Sequence, residues 1–267
     1  MTIIRHSVWF SCKPERGGRL NETTAHIRPV IIACTARPDE RHASGRDPRR
    51  AGGFAGEVRQ GEALADAAAK AGVKHFVYSS VGGAERATGI SHFESKWEIE
   101  KHIRQLNLSA TIFRPAAFME MYNVLEVELG LLKGKLADPL RGDKPYQTIA
   151  TDDIGAFVAL AFERPTEFIG KQLEIAGSEL TNVEAAKVFS RVMGRPVKFR
   201  RLPMPVVRLF MGEEFYKMFR WFNEAGFKAD IAGLRRRYPE VHLHTLEEWL
   251  REEGWHKRGL RMRAPKA

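Results

Sequence analysis

Cysteine is nearly absent, with two thiols in 267 residues. That count excludes a disulfide scaffold and an all-thiolate zinc site. The nine histidines are scattered without ligand spacing, so no metal cluster is expected. Long apolar runs are missing as well. The longest near a plausible span, Gly155 to Phe162, falls far short of the roughly 20 residues a membrane helix needs. The start carries Arg5 but no apolar stretch ending in a small-residue cleavage site. No secretion signal is therefore expected, and the default compartment is the cytoplasm. No internal repeat is found. No glycine-rich turn leads from a strand into a helix. Gly17-Gly18 follows no strand, and Gly52-Gly53-Phe54-Ala55-Gly56 follows an arginine-rich loop. Such a turn is how a helix N-terminus presents backbone N–H groups to a pyrophosphate.

What is present is an ordinary globular composition, 43% hydrophobic and 28% charged, in a chain long enough for one large domain or a core plus a small cap. The net charge of +10 raises the question of nucleic acid. Residues 1–56 hold ten basic and five acidic residues, and nine of the ten bases are arginine. Arg37 to Arg50 reads as loop or disorder. No aromatics interleave with the bases from Lys13 to Arg50 and no binding motif is present, which argues against a nucleic-acid partner. Residues 1–56 are expected to be an atypical, poorly ordered basic segment, and Lys257 to Lys266 an exposed basic tail.

From Glu57 the pattern changes. Val58, Ala63, Leu64, Ala67, Ala68 and Ala71 fall at helical spacing and Gly72 supplies a stop. Lys74 to Ser79 and Ser109 to Phe113 read as strands buried on both faces. Between them Ser91, with Glu94 three residues on, reads as a capping box. Helix, strand, helix, strand with short connections indicates a parallel sheet covered by helices. Gly130 to Tyr146 reads as loop with a short hairpin. Helices are expected from Asp153 to Phe162, from Thr181 to Gly194 with Glu184 completing a capping box, and after Thr245 with Glu248. Residues 205–225 read as helical, with Phe210, Phe215, Phe219, Trp221 and Phe222 as the greasy face.

Three places could carry chemistry. Ser79 and Ser80 end a strand, where open parallel sheets bind ligands, although serines also simply terminate strands. His92 and Lys96 stand four residues apart on one helix face. Classical short-chain dehydrogenases place a proton-donating Tyr and a ribose-binding Lys at this spacing. Here His92 takes the Tyr position, and an imidazole can do acid–base work near neutral pH. A solvated polar face would look the same. The third place is Phe118-Met119-Glu120-Met121, past the next strand end, where an aromatic can wall a pocket or lie in the core.

Taken together, Glu57-Val58-Arg59-Gln60-Gly61, Lys74 to Ser80, His92 to Lys96, Phe113-Arg114-Pro115, Ile149 to Gly155, Trp221-Phe222-Asn223 and Thr245 to Leu250 resemble the NmrA-like family of atypical short-chain dehydrogenase/reductase proteins. The resemblance covers about residues 57–267. It implies an α/β fold, a Rossmann-type parallel sheet with a smaller C-terminal α/β subdomain, and a small-molecule dinucleotide, NADP(H), as ligand. It implies cofactor contacts from Arg59, Ser79, Ser80, Lys96, Phe118, Met119, Glu120 and Met121, with His92 and Lys96 as catalytic candidates. The family usually has Asn where this chain has Met121. Family members include redox-sensing regulators, with a regulatory protein partner, and reductases of quinones or carbonyls. A non-enzymatic remnant or interaction module is the third possibility.

The N-terminus departs from the family pattern. Its first strand and glycine-rich turn have no counterpart in residues 1–56, although Val30 to Cys34 can stand for the strand before the Glu57 helix. The composition break suggests a truncated or frame-shifted reading. The sheet is accordingly expected to be incomplete, and dinucleotide affinity weak or absent.

Overall fold

The computed structural model describes residues 32–34 and 53–261. The expectations for the rest of the basic N-terminal segment and for residues 262–267 lie outside the described residues. Strand β1 (Ile32–Cys34) precedes helix α1 (Gly53–Lys70) and strand β2 (Phe76–Ser79). Helix α2 (Ser91–Gln105) and strand β3 (Ala110–Pro115) follow. Helix α1 starts four residues before Glu57, so residues 53–56, expected in the poorly ordered segment, form its first turn. It stops at Gly72, whose φ of 63° only glycine adopts at little cost. Lys70 in the last turn complements the helix dipole.

β1 pairs in parallel with β2, Ala33 opposite Tyr78, and β2 with β3, Tyr78 opposite Ile112. All of β2 and β3 is buried, as their unbroken β-forming sequences require. Alternation sorts the side chains. Phe76, Tyr78, Ala110 and Ile112 face Ala65, Ala68, Ile99 and Ile103 of α1 and α2. Val77 and Phe113 face the opposite way, into the largest core. Gly61 lets the two helices approach: a Cβ there would sit 2.3 Å from the Ile99 side chain.

The chain then makes strand β4 (Ala117–Phe118), a 3-10 turn (Met119–Asn123), helix α3 (Leu125–Leu132) and strands β5 (Lys135–Asp138) and β6 (Pro145–Ile149). Helices α4 (Thr151–Glu163) and α5 (Pro165–Phe168) lead to strand β7 (Gln172–Ile175). β7 completes an all-parallel sheet of order β1-β2-β3-β7 among the described residues. Helix α4 covers its second face through Ile154, Phe157 and Ala161. Strand β8 (Ser178–Thr181), helix α6 (Asn182–Met193), strand β9 (Lys198–Arg201) and helices α7 (Met204–Met211), α8 (Glu213–Glu224), α9 (Ile231–Arg237), α10 (Leu246–Glu252) and α11 (Trp255–Arg261) finish the described chain. A second core joins Met119, Leu136, Phe189, Trp249 and Trp255.

Four local expectations change. The segment from Gly130 to Tyr146 holds no hairpin: β5 pairs with β9, and β6 lies between β4 and β8. Residues 205–225 form two helices, because Gly212 at φ 90° breaks the run. Ser91 does not cap α2; its hydroxyl donates to Glu214 Oε1 at 2.7 Å, and Glu94 accepts from Gly89 N at 2.8 Å. The basic C-terminal stretch begins as a docked helix, with Trp255 fully buried and Arg258 paired with Glu128 at 3.0 Å. The capping boxes at Thr181 and Thr245 form as expected. No helix among the described residues is long and apolar enough to cross a membrane.

Candidate functional site

The carboxyl end of β2 and the amino end of α2 belong to one β-loop-α unit, the edge of a parallel sheet where ligands bind. Ser79 and Ser80 are both 6% exposed. The Ser80 backbone N–H donates to Phe113 O at 2.7 Å, which extends the β2–β3 pairing by one residue. Its hydroxyl is buried and has no hydrogen-bond partner among the described residues. A buried hydroxyl without a partner costs free energy unless something fills the gap. The next residues pass under an aromatic roof. A Cβ at Gly82 would meet Phe227 at 2.6 Å, and one at Gly83 would meet Trp221 at 2.6 Å. Trp221, Phe222 and Phe93 pack together there, joining α8 to the first turn of α2.

His92 lies in that first turn, its ring edge-on to Phe93 at 4.9 Å. Its surface is exposed, yet the protein around the ring disfavours imidazolium and holds its pKa below the ordinary 6.5. Glu214 and Glu57 oppose that effect, and the positive charge of Lys96 reinforces it. One turn on, Lys96 is 8% exposed and its ammonium is paired with Glu57 Oε1. Glu57 Oε2 accepts from Ser95 Oγ at 2.5 Å, so one carboxylate on α1 holds two consecutive residues of α2.

The other expected site residues are dispersed. Arg59 is exposed on α1 and lies two residues beyond Glu57, so the helix turns it away from the face that meets Lys96. Phe118 packs against the largest core. Met119 is fully buried in the second core, and Met121 is 48% exposed. Glu120 Oε1 accepts from Thr151 N at 2.9 Å and Thr151 Oγ at 2.8 Å, holding the start of α4. Its other oxygen is buried without a partner among the described residues. A cleft of about 660 Å³ lies elsewhere, lined by Gln147, Glu179, Arg191, Asp230 and Arg235 among others, and none of the expected site residues lines it.

Sequence reasoning missed a second group in the first turn of α4. Asp153 is 1% exposed and accepts from the His244 backbone N–H at 3.0 Å. It also engages His244 Nδ1, while Nε2 of that ring meets Glu252 at 3.0 Å. Acids in a helix's first turn are accounted for by the helix dipole, and nothing local to Asp152-Asp153 points 91 residues ahead. Burial pushes the Asp153 carboxyl up. Burial also works against a charged His244, but Asp153 and Glu252 outweigh it and raise its pKa above 6.5. A raised folded-state pKa gives stability that is complete below the unfolded value and is lost as pH rises through the folded one. The melting temperature of the wild type should therefore exceed that of His244→Gln by a margin that narrows as pH climbs above 6.5. A margin constant from acid to alkaline pH would refute the ion pair.

A family model described as the NmrA-like family matches residues 48–250. The chain belongs to the NmrA-like family. An NmrA-like family domain-containing protein of Dictyostelium discoideum is 28% identical over 214 residues, covering 73% of this chain and 70% of that protein. The nitrogen metabolite repression protein of Neurospora crassa is 29% identical over 229 residues, 74% of this chain but only 47% of that protein. Among solved structures, the negative transcriptional regulator NmrA in complex with NADP superposes with a TM-score of 0.58 at 20% identity, over 77% of this chain and 72% of that one. An NADPH-dependent quinone oxidoreductase of Escherichia coli, complexed with NADPH, gives 0.63 at 18% identity, over 84% and 75%. These likenesses establish the Rossmann-like α/β fold of this NmrA-like chain.

Proposed function

We propose that this NmrA-like chain is a dinucleotide-binding protein of the redox-sensing regulator type, with NADP(H) as ligand and a hold on it that is weakened. The observation that carries this reading is the buried, unpartnered Ser80 hydroxyl in the same β-α unit as Lys96. A hydroxyl and an ammonium at a strand's carboxyl end suit the hydroxyls of a ribose. Ser80 and Lys96 would hold that part of the cofactor, and Trp221 and Phe227 would keep water off the β2 end. NADPH, when bound, supplies a hydride. Among the described residues no glycine-rich turn stands between a strand and a helix to take the pyrophosphate. Losing several charged hydrogen bonds at about 1.5–3 kcal/mol each weakens binding a thousandfold or more.

Sensing fits better than turnover because His92 is held below its ordinary pKa. A neutral imidazole is a poor proton donor for a carbonyl substrate. The reductase reading rests on the shared face of His92 and Lys96, and it applies to substrates that need no strong acid. A fluorescence titration of the full chain with NADPH and NADH separates these. Weak quenching that favours NADPH, with no NADPH consumed when a quinone is added, is the expected result. Binding of both at about micromolar or tighter would overturn the weakened hold. Steady oxidation of NADPH by the quinone would replace the sensor with the reductase.

A further inference from the structure

We propose that the α7–α8 hairpin docks onto an anionic membrane surface. On α7, Val206, Leu209 and Phe210 fall at i, i+3 and i+4 and so share one face. Leu209 and Phe210 are each 78% exposed, and Val206 is 41% exposed. Val207, about 100° round the helix from Val206, is buried. The helix is thus apolar toward the protein and apolar toward solvent, and packing into its own core explains only the first. Beyond the Gly212 break, Phe215 is 45% exposed and begins a stripe through Met218 and Phe219 to the buried Phe222. Single exposed apolar residues are normal, but a contiguous set marks an interaction surface.

Charge indicates the partner. Residues 195–220 contain seven basic and two acidic side chains. Lys198, Arg200 and Arg201 stand exposed on β9. Arg201 is three residues from the start of α7, so its backbone lies within about 11 Å of that helix. Arg208 is paired with Glu213 at 2.7 Å and Arg220 with Glu224 at 2.8 Å, and Glu214 accepts from the Ser91 hydroxyl at 2.7 Å, which leaves Arg195, Lys198, Arg200, Arg201 and Lys217 against the single charge of Glu214. An exposed Leu/Phe helix face flanked by basic residues is the chemistry of a helix lying in an anionic lipid interface. Nucleic acid would use the bases but leave the apolar face in water. A second copy of the chain, meeting this one symmetrically, would bring the basic strand near its own image.

Co-sedimentation of the full chain with phosphatidylcholine vesicles, with and without phosphatidylserine, tests this. Binding is expected only with phosphatidylserine present, and it should weaken as salt is added. Leu209→Ser with Phe210→Ser, and separately Arg200→Glu with Arg201→Glu, should each lower partitioning by about tenfold or more. All four side chains are exposed, so the melting temperature should not move. Three results would overturn the proposal. One is no binding to the mixed vesicles. Another is equal binding by the Leu209→Ser/Phe210→Ser chain, which assigns the lipid contact to other basic residues. The third is a dimer in solution that this same pair of substitutions converts to monomer.

Discussion

Replacing Arg114 by alanine is expected to destabilise the chain by about 3–5 kcal/mol, the cost of leaving a buried carboxylate without its partner. Arg114, the penultimate residue of β3, lies on the face that meets α2. Its Nε and Nη2 donate to the two oxygens of Glu100 at 3.0 and 2.6 Å, and Nη2 also reaches Gln172 at 2.9 Å. Glu85 pairs with the third nitrogen at 3.0 Å, and the guanidinium lies 5.6 Å from the Trp97 ring. Burial disfavours the charge, but the hydrogen bonds and charge of Glu100 and the charges of Glu85 and Glu174 raise the pKa above its ordinary value. Glu100 has no exposed surface, and the other cation near it among the described residues, Arg104, stands 3.4 Å away. Removing Arg114 therefore leaves the buried carboxylate, in the joint between strand and helix, with only the longer Arg104 contact among the described residues. Taking away both charges avoids that cost, so Arg114→Met with Glu100→Leu should recover most of the loss. Urea unfolding of the three chains at neutral pH is the measurement. A loss for Arg114→Ala no larger than that of an ordinary surface substitution would show that the pair does not hold the joint.

The same residues show how far sequence carries. Strands β2 and β3 were legible because every residue in them is buried, and unbroken β-forming runs leave little else to read. Thr181-Glu184 and Thr245-Glu248 formed their caps, each glutamate accepting from the backbone N–H and the hydroxyl of its own threonine. Ser91-Glu94 has the same local signal and failed, because Glu214 arrives from another helix and takes the serine. Phe210 was expected in the greasy face of a single helix; Gly212 resets the phase, leaving Phe210 in water and Trp221 in the core. The pairing of β5 with β9 spans some sixty residues and left no local trace. At the site, the four-residue spacing of His92 and Lys96 was legible, because helix geometry alone fixes it. That Lys96 is held by Glu57 was not, since it depends on the angle at which two helices cross over Gly61.

That unread contact sets the second large effect. Glu57→Gln is expected to tighten NADPH binding by about tenfold, whereas Lys96→Ala should weaken it by about tenfold or more, each within the range of a charged hydrogen bond. If the cofactor ribose uses the Lys96 ammonium, it must share that group with a carboxylate already in contact with it. The carboxylate is a stronger acceptor than a neutral hydroxyl, so in the unliganded chain it holds the advantage. An amide at position 57 keeps a neutral acceptor for Ser95 and Lys96 but removes the charge that binds the ammonium. Ligand affinity should then rise while stability falls, because the α1–α2 joint loses its ion pair. Opposite movements of affinity and melting temperature in one variant are not produced by general loosening of the fold, which would lower both affinity and stability. Parallel NADPH titrations and thermal melts of the wild type, Glu57→Gln and Lys96→Ala make the comparison. If Glu57→Gln binds no better while Lys96→Ala loses binding, Glu57 orients the lysine instead of competing for it. If neither variant changes the dissociation constant, the β2–α2 unit is not where the dinucleotide sits.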